Sequence, residues 1–241
     1  EGVDGVVSVD AIAAIINDER PDLVGLQEVD RLAARTDAAD FPRELERLTG
    51  MSAVFGPNLS LEGHTGAGQY GNAILSRLTV ERWANHPLPR LDASTEQRGL
   101  LCADITLPGG SSLTFATTHL EHTSATERTR QVSMIRGIVS SSGRRERPLV
   151  LCGDFNAQPD SPEMQLIESW GLADSWKEGG DQTAGSTIPS TPTPRARIDY
   201  IFVDATAGLR VVDARVAATQ NPGASDHLPV VTDLNVPQCS L

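Results

Sequence analysis

Apolar residues recur along this chain with two different periods, and the switches between the periods mark out its elements. After Ser8, the positions Val9, Ile12, Ala13 and Ile16 fall three and four apart. That is the stripe of an amphipathic helix with serine as N-cap, ending before Pro21. Residues 22–28 carry the apolar run Leu23-Val24-Gly25-Leu26 and end on Glu28, the pattern of a buried strand with an acid at its C-terminal end. A second helix is predicted over 41–48 and is closed by Gly50. Residues 70–76, centred on Ala73-Ile74-Leu75, predict another strand. Residues 98–107 and 112–120, joined by Pro108-Gly109-Gly110, predict a hairpin. Met134, Ile135 and Ile138 mark one side of a helix over 126–140. The run Pro148-Leu149-Val150-Leu151-Cys152 is a buried strand, and a short helix follows at 162–170. Residues 177–195 are rich in Gly, Ser, Thr and Pro and predict a loop. Strands at 198–203, 209–217 and 227–234 close the pattern.

Strands and helices thus alternate, with hairpins among them and no linker, repeat or heptad run to divide the chain. The expected architecture is a layered α/β sandwich in one domain over residues 1–241, long enough to bury a substantial core. No apolar run approaches the roughly 20 residues that cross a bilayer, so no transmembrane segment is expected. Three cysteines make no disulfide framework. Cys102 and Cys152 lie in apolar strands and read as small buried hydrophobes, while Cys239 falls near the C-terminus. This usage fits a reducing, cytoplasmic compartment and leaves secretion open.

Charge narrows the chemistry. Twenty basic residues stand against 32 acidic ones, a net of -12. A dedicated nucleic-acid binder shows a basic face, because neutralising phosphates supplies much of its affinity. Any such patch here is local, which favours a small substrate over long duplex DNA.

Candidate chemistry gathers at strand ends. Glu28 is either solvated at a sheet rim or a ligand for a hard cation, which prefers oxygen donors. Asp154 and Asn156, in Gly153-Asp154-Phe155-Asn156, stand two apart and would share one side of an extended segment. The alternative is an Asx-rich turn. Asp199 lies within the apolar segment Arg197-Ile198-Asp199-Tyr200-Ile201-Phe202, where a carboxylate needs a partner. His227 meets that need, giving a base-plus-orienter pair Asp199–His227 with Asp226 free to bind metal. His119 ends the strand before Leu120 and reads either as structural or as a site residue. His122 invites a zinc reading with His119, but the spacing separates the rings and no cysteine lies near. Gly63-His64-Thr65-Gly66-Ala67-Gly68 has no predicted strand leading into it and reads as a rim loop. No G-x-S-x-G elbow, Walker A lysine or Rossmann glycine cluster is present.

These residues in this order resemble the endonuclease/exonuclease/phosphatase superfamily, DNase I-like in fold. The resemblance rests on Gln27-Glu28, the run from Tyr70 to Ser76, Thr118-His119-Leu120, Gly153-Asp154-Phe155-Asn156, Ile198-Asp199-Tyr200-Ile201 and Ser225-Asp226-His227-Leu228-Pro229. It implies a four-layered α/β sandwich of two packed mixed sheets flanked by helices. It also implies hydrolysis of a phosphodiester or small phosphomonoester by in-line water attack, assisted by Mg2+ or Mn2+. By position, Glu28 matches the main metal ligand and Asp226 a further metal or water contact. Asp154 matches the group that orients or deprotonates the water, Asn156 a phosphate holder, and His119 a donor to a phosphate oxygen. Asp199 and His227 match a pair beside the scissile phosphate. The expected form is a monomer acting on a small phosphate ester or nucleic acid; the alternative is a binding module on the same fold. Two departures stand out. The family's first strand carries an asparagine, and residues 1–7 hold none, so that strand is expected to be missing. Tyr70 stands where some DNases place a glutamate. Arg77 and Arg98 are expected either to reach substrate phosphate or to pair with surface acids, and residues 187–197 to form a lip of the cleft.

Overall fold

The computed structural model describes residues 8–63, 66–141, 147–181, 185–218, 220–221 and 223–236. Cys239, the segment 1–7 and the centre of the Gly63–Gly68 loop lie outside them.

Helices form where local chemistry caps them. In α1 (Val9–Glu19) the Ser8 hydroxyl accepts from the Ala11 N–H at 3.2 Å, satisfying one of the free donors at the helix start. Asp40 caps α2 (Phe41–Thr49), and Gly50 ends it at φ 69°. Ser124 caps α3 (Ala125–Val139), and α4 (Pro162–Glu168) and α5 (Ser175–Gly179) are short.

Six strands make one continuous sheet in the order β4-β5-β6-β7-β9-β8. They are β4 (Thr79–Pro87), β5 (Gly99–Thr106), β6 (Ser112–His119), β7 (Leu149–Asp154), β8 (Leu172–Asp174) and β9 (Asp199–Asp204). Opposite it lie two separate pieces. One is β1-β3-β2, from β1 (Leu23–Arg31), β2 (Ser52–Glu62) and β3 (Ala67–Ser76); the other pairs β10 (Arg210–Val216) with β11 (Val230–Asn235).

Alternation along the strands builds the layers. Leu101, Ala103 and Ile105 of β5 join Ile74, Phe115, Val150 and Val203 between the sheets. Leu100 and Cys102 face the other way, towards Val132 and Ile135 of α3 and Met164 and Ile167 of α4. On the far side, Ala13, Ile16 and Leu45 of the first two helices cover Leu75. The result is helix, sheet, sheet, helix: a four-layered α/β sandwich. Gly25 of β1 shows how closely the sheets approach, since a Cβ there would stand 2.3 Å from the Cys152 sulfur.

Several elements depart from the sequence pattern. β2 and β4 were not predicted, for different reasons. Gly56, Pro57 and Asn58 interrupt β2, which absorbs Pro57 in a bulge, while β4 is an edge strand with exposed Glu81 and Arg82. Because β2 ends at Glu62, a strand does lead directly into the glycine-rich loop, which joins β2 to β3. α5 takes the first residues of the predicted loop at 177–195. β9 begins at Asp199, so this acid sits at the strand's end, not inside it. β11 begins only at Val230, leaving His227 in the preceding loop.

The divided sheet leaves a trench. Among the described residues β1 pairs only with β3, and β11 only with β10. Between their free edges lies a cavity of about 610 Å³ with Val9, Ile12, Leu23, Leu26, Phe115 and Val231 among its walls.

Candidate active site

Sheet register brings three of the expected groups side by side. β6 runs parallel to β7 with His119 opposite Asp154, and β7 runs antiparallel to β9 with Asp154 opposite Asp199. The β6–β7 approach depends on Gly153, at φ 149°, where a Cβ would fall 2.0 Å from the Thr118 carbonyl oxygen. Only glycine tolerates both the torsion and the contact.

His227 reaches the same place from the loop before β11. Ser190 fixes that loop by donating its N–H to the Asp226 carbonyl and its hydroxyl to the Ser225 carbonyl, each at 2.7 Å. The Leu228 N–H donates to the Thr187 carbonyl at 2.8 Å. Residues 187–197 therefore brace the site; none of them lines the cleft as the expected lip. The His227 Nδ1–H donates to Asp199 Oδ2 at 2.9 Å, and Thr187 Oγ1 donates to the same oxygen at 2.5 Å.

Asp154 sits at the convergence. Its Oδ2 lies 3.5 Å from His119 Nε2 and 4.0 Å from His227 Nε2. Burial, then the negative charge of Asp199, pushes its pKa well above the usual carboxylate range. Burial pulls His227 down, but the hydrogen bond and charge of Asp199 outweigh it and raise the pKa to about 9. The protonated ring is thus favoured at neutral pH, with Nδ1–H bonded to Asp199 and Nε2 4.0 Å from Asp154, not the free base that pairing alone suggested. His119 behaves oppositely: burial, then Arg98, holds its pKa well below the ordinary histidine value.

Asp154 and Asn156 come together by a turn, not by strand alternation. Asn156 is left-handed at φ 48°, its N–H donates to Asp154 Oδ1 at 2.8 Å, and its Nδ2 donates to the Leu120 carbonyl at 3.0 Å. The Asx turn of the alternative reading is present, and Asn156 still lines the cleft.

Glu28 stands on the opposite wall, at a bulge in β1 between Leu26 and Val29 and at φ 58°. Positive φ at a residue with a side chain is a strained state that persists where surrounding structure enforces it. The bulge turns the half-exposed carboxylate into the cleft, with Oε1 3.9 Å from His119 Nδ1. Asp226 is exposed and lines the trench instead of the cleft. Its charge still contributes to raising His227. Among the described residues, the ligand atoms of Asp154, Asp199 and His227 lie within 4.8 Å of one another. This acid/histidine set leaves Glu28 and Asp226 outside it. With Glu28 facing it, the donors are mostly carboxylate oxygens, which fits a hard divalent cation.

The cleft holds about 480 Å³, and Glu28, Tyr70, Arg98, His119, Asp154 and Asn156 are among the residues that line it. Tyr70 keeps its proton, since burial and then Glu28 raise its pKa. Arg98 is only 4% exposed, bonded to Glu96, His119 and His122. That guanidinium lies against both imidazoles where the zinc reading would have put a metal. Arg77 is elsewhere, donating to the Pro21 and Thr49 carbonyls at 3.1 and 3.4 Å. Sequence reasoning missed Thr187 and Glu96, since a threonine in a Ser/Thr-rich loop and one surface glutamate carry no pattern of their own.

This architecture and cleft define a class. The Endonuclease/Exonuclease/phosphatase family model matches residues 2–227, and the chain belongs to that family. Among solved structures it is similar to the endonuclease/exonuclease/phosphatase of Beutenbergia cavernae DSM 12333. The two share 30% identity over 98% of this chain and 68% of that one, with a TM-score of 0.80. It shares its fold with a mannosyl-6-phosphatase of Bacteroides thetaiotaomicron at 18% identity, covering 94% of this chain and 90% of that one, TM-score 0.76. It also shares it with D. rerio TDP2, complexed with single-strand DNA product, at 20% identity, 98% and 96% coverage and TM-score 0.70. No curated protein matches the chain. Phosphoester chemistry, with a divalent metal, is the activity type of the family. No helix among the described residues is long and apolar enough to cross a membrane.

Proposed function

We propose that this protein is a Mg2+- or Mn2+-dependent phosphoesterase that hydrolyses a phosphodiester or a small phosphomonoester by in-line attack of water. The observation that carries this reading is the Asp154 carboxylate held between the Nε2 atoms of His119 and His227. Its raised proton affinity suits it to take a proton from water. His227, protonated and oriented by Asp199, donates to one phosphate oxygen, and His119 donates to another. The side-chain amide of Asn156, tied back to Leu120, keeps one N–H for the substrate. Glu28 would hold the cation, which would neutralise phosphate and stabilise charge on the leaving oxygen, while Asp226, outside the cleft, acts on the site through its charge on His227. The net charge of -12 supports a small substrate over long DNA. The apolar cluster shared by strands of both halves, from Ile74 and Leu101 to Val203, supports a single domain.

The test is a panel of plasmid DNA, oligonucleotides, sugar phosphates and inositol phosphates, each with Mg2+, Mn2+ or EDTA. Turnover of at least one ester that EDTA abolishes is expected. Binding of a phosphate ester without turnover, under every metal condition, would instead support a binding module.

A further inference from the structure

Arg98 is placed with unusual firmness for an arginine. It precedes β5, where Asn72 Nδ2 and Thr118 Oγ1 donate to the Gly99 carbonyl at 3.0 and 3.1 Å, and Gln97 Nε2 donates to the Arg98 carbonyl at 2.7 Å. Its guanidinium meets Glu96 at 3.0 Å, His119 Nδ1 at 3.1 Å and His122 Nδ1 at 3.4 Å. Its Nε is buried with no hydrogen-bond partner. A buried N–H left unpaired costs free energy, so satisfying its own donors does not explain where the side chain sits. Its contacts with the rings do.

A guanidinium donates and never accepts, and it keeps its charge throughout the working pH range. A ring nitrogen 3.1 Å from it must therefore present a lone pair. The carboxylate nearest the same nitrogen, Glu28 Oε1, is 3.9 Å away, beyond hydrogen-bond range. At His122 the two influences balance, with Arg98 at 3.4 Å and Glu121 Oε1 at 3.5 Å from Nδ1, so the argument concerns His119.

We propose that Arg98 is a positioning residue for hydrolysis: by donating to Nδ1 it locks His119 in the tautomer that carries its proton on Nε2. What that proton is used for rests on the phosphoesterase reading; where it sits does not. The Nε2–H lies 3.5 Å from Oδ2 of Asp154, which lines the cleft. It is then a donor already in place for a phosphate oxygen, with no tautomer change needed when substrate binds. His119 is also removed as a competitor for the water's proton, which is left to Asp154.

Long-range proton–nitrogen NMR of the histidine side chains tests this directly, on the protein without metal and again with Mg2+. The His119 signals are assigned by their loss in His119→Gln. The expected spectrum has an unprotonated Nδ1 and a protonated Nε2. Arg98→Met should give a mixture of both tautomers and lower kcat by about ten- to a hundredfold with KM little changed, as when one donor to a developing charge is misplaced. Arg98→Lys, which restores a donor, should recover the single tautomer and much of kcat. A proton on Nδ1 in the unmodified protein would overturn the proposal, as would an unchanged His119 signature in Arg98→Met. If Arg98→Met does not fold, the unmodified protein and Arg98→Lys still decide. The predicted tautomer in a protein that turns over no phosphate ester would support the placement and sink the phosphoesterase reading separately.

Discussion

In the six-stranded sheet β5, β6 and β7 are each laddered on both sides and buried along nearly their whole length. Across the core, β1 is paired on one side only among the described residues, and Leu23, Val24 and Leu26 remain half-buried. The site draws on both halves. His119, Asp154 and Asp199 come from adjacent strand ends of the continuous sheet, where register fixes their spacing. Glu28 comes from a bulge in β1, and Asp226 and His227 from a loop. The difference teaches a division of labour: His119, Asp154 and Asp199 have their spacing set by the ladders of the continuous sheet, and His227 is brought to them by its bond to Asp199. The group proposed to hold the cation stands on a bulge of β1, on the wall that faces them.

The largest effect that sharpens this contrast is catalytic. Asp154→Asn should reduce turnover by about a thousandfold at every Mg2+ concentration, the scale of a lost general base, with circular dichroism unchanged. Glu28→Gln should instead raise the half-saturating Mg2+ by about tenfold to a hundredfold, about 1.4 to 2.8 kcal/mol, and recover activity at high Mg2+. Should excess Mg2+ rescue Asp154→Asn, Asp154 would be acting chiefly as a ligand and the division would fail.

A second contrast concerns stability. Phe202, fully buried, stacks on Tyr200 at 5.5 Å and meets Phe155 edge-on at 5.4 Å. Phe202→Ala should cost about 3–5 kcal/mol in urea unfolding. Leu26→Ala, on the half-exposed strand, should cost roughly 1 kcal/mol. Equal losses would show that the β1 face is covered in solution, and the open trench would then not describe the working state.

Much of this was legible in the sequence where local chemistry and periodicity agree. Ser8 and Gly50 mark helix ends, and the apolar run from Leu100 to Ile105 marks the strand β5. The four layers followed from the family resemblance. Signals failed where tertiary context decides. β2 carries Gly56 and Pro57 and is held as a strand only by its partner β3. Spacing suggested that Asp154 and Asn156 share a face of a strand, whereas a left-handed Asn156 makes a turn instead. The Asp199–His227 contact could be inferred because a carboxylate in an apolar segment needs a partner. The burial of Arg98 could not, because an arginine at a strand's start reads the same whether it faces water or two imidazoles.

The smallest effect tests how the loop is tied to the continuous sheet. In the metal-free protein the ordinary histidine pKa of 6.5 is raised to about 9 at His227: burial lowers it, and Asp199, Asp154 and Asp226 raise it by more. A pKa raised in the folded state means that folding favours the protonated ring. The stabilisation is therefore complete below pH 6.5 and is lost as pH rises through about 9. Asp154, also raised, shifts stability in the same direction, so unmodified protein alone does not separate the two. Urea midpoints in EDTA between pH 6 and 10 should fall with rising pH, and His227→Gln should fall less steeply across the upper half of that range. If the two slopes coincide there, the Asp199–His227 bond is not what holds the loop before β11 to the end of β9.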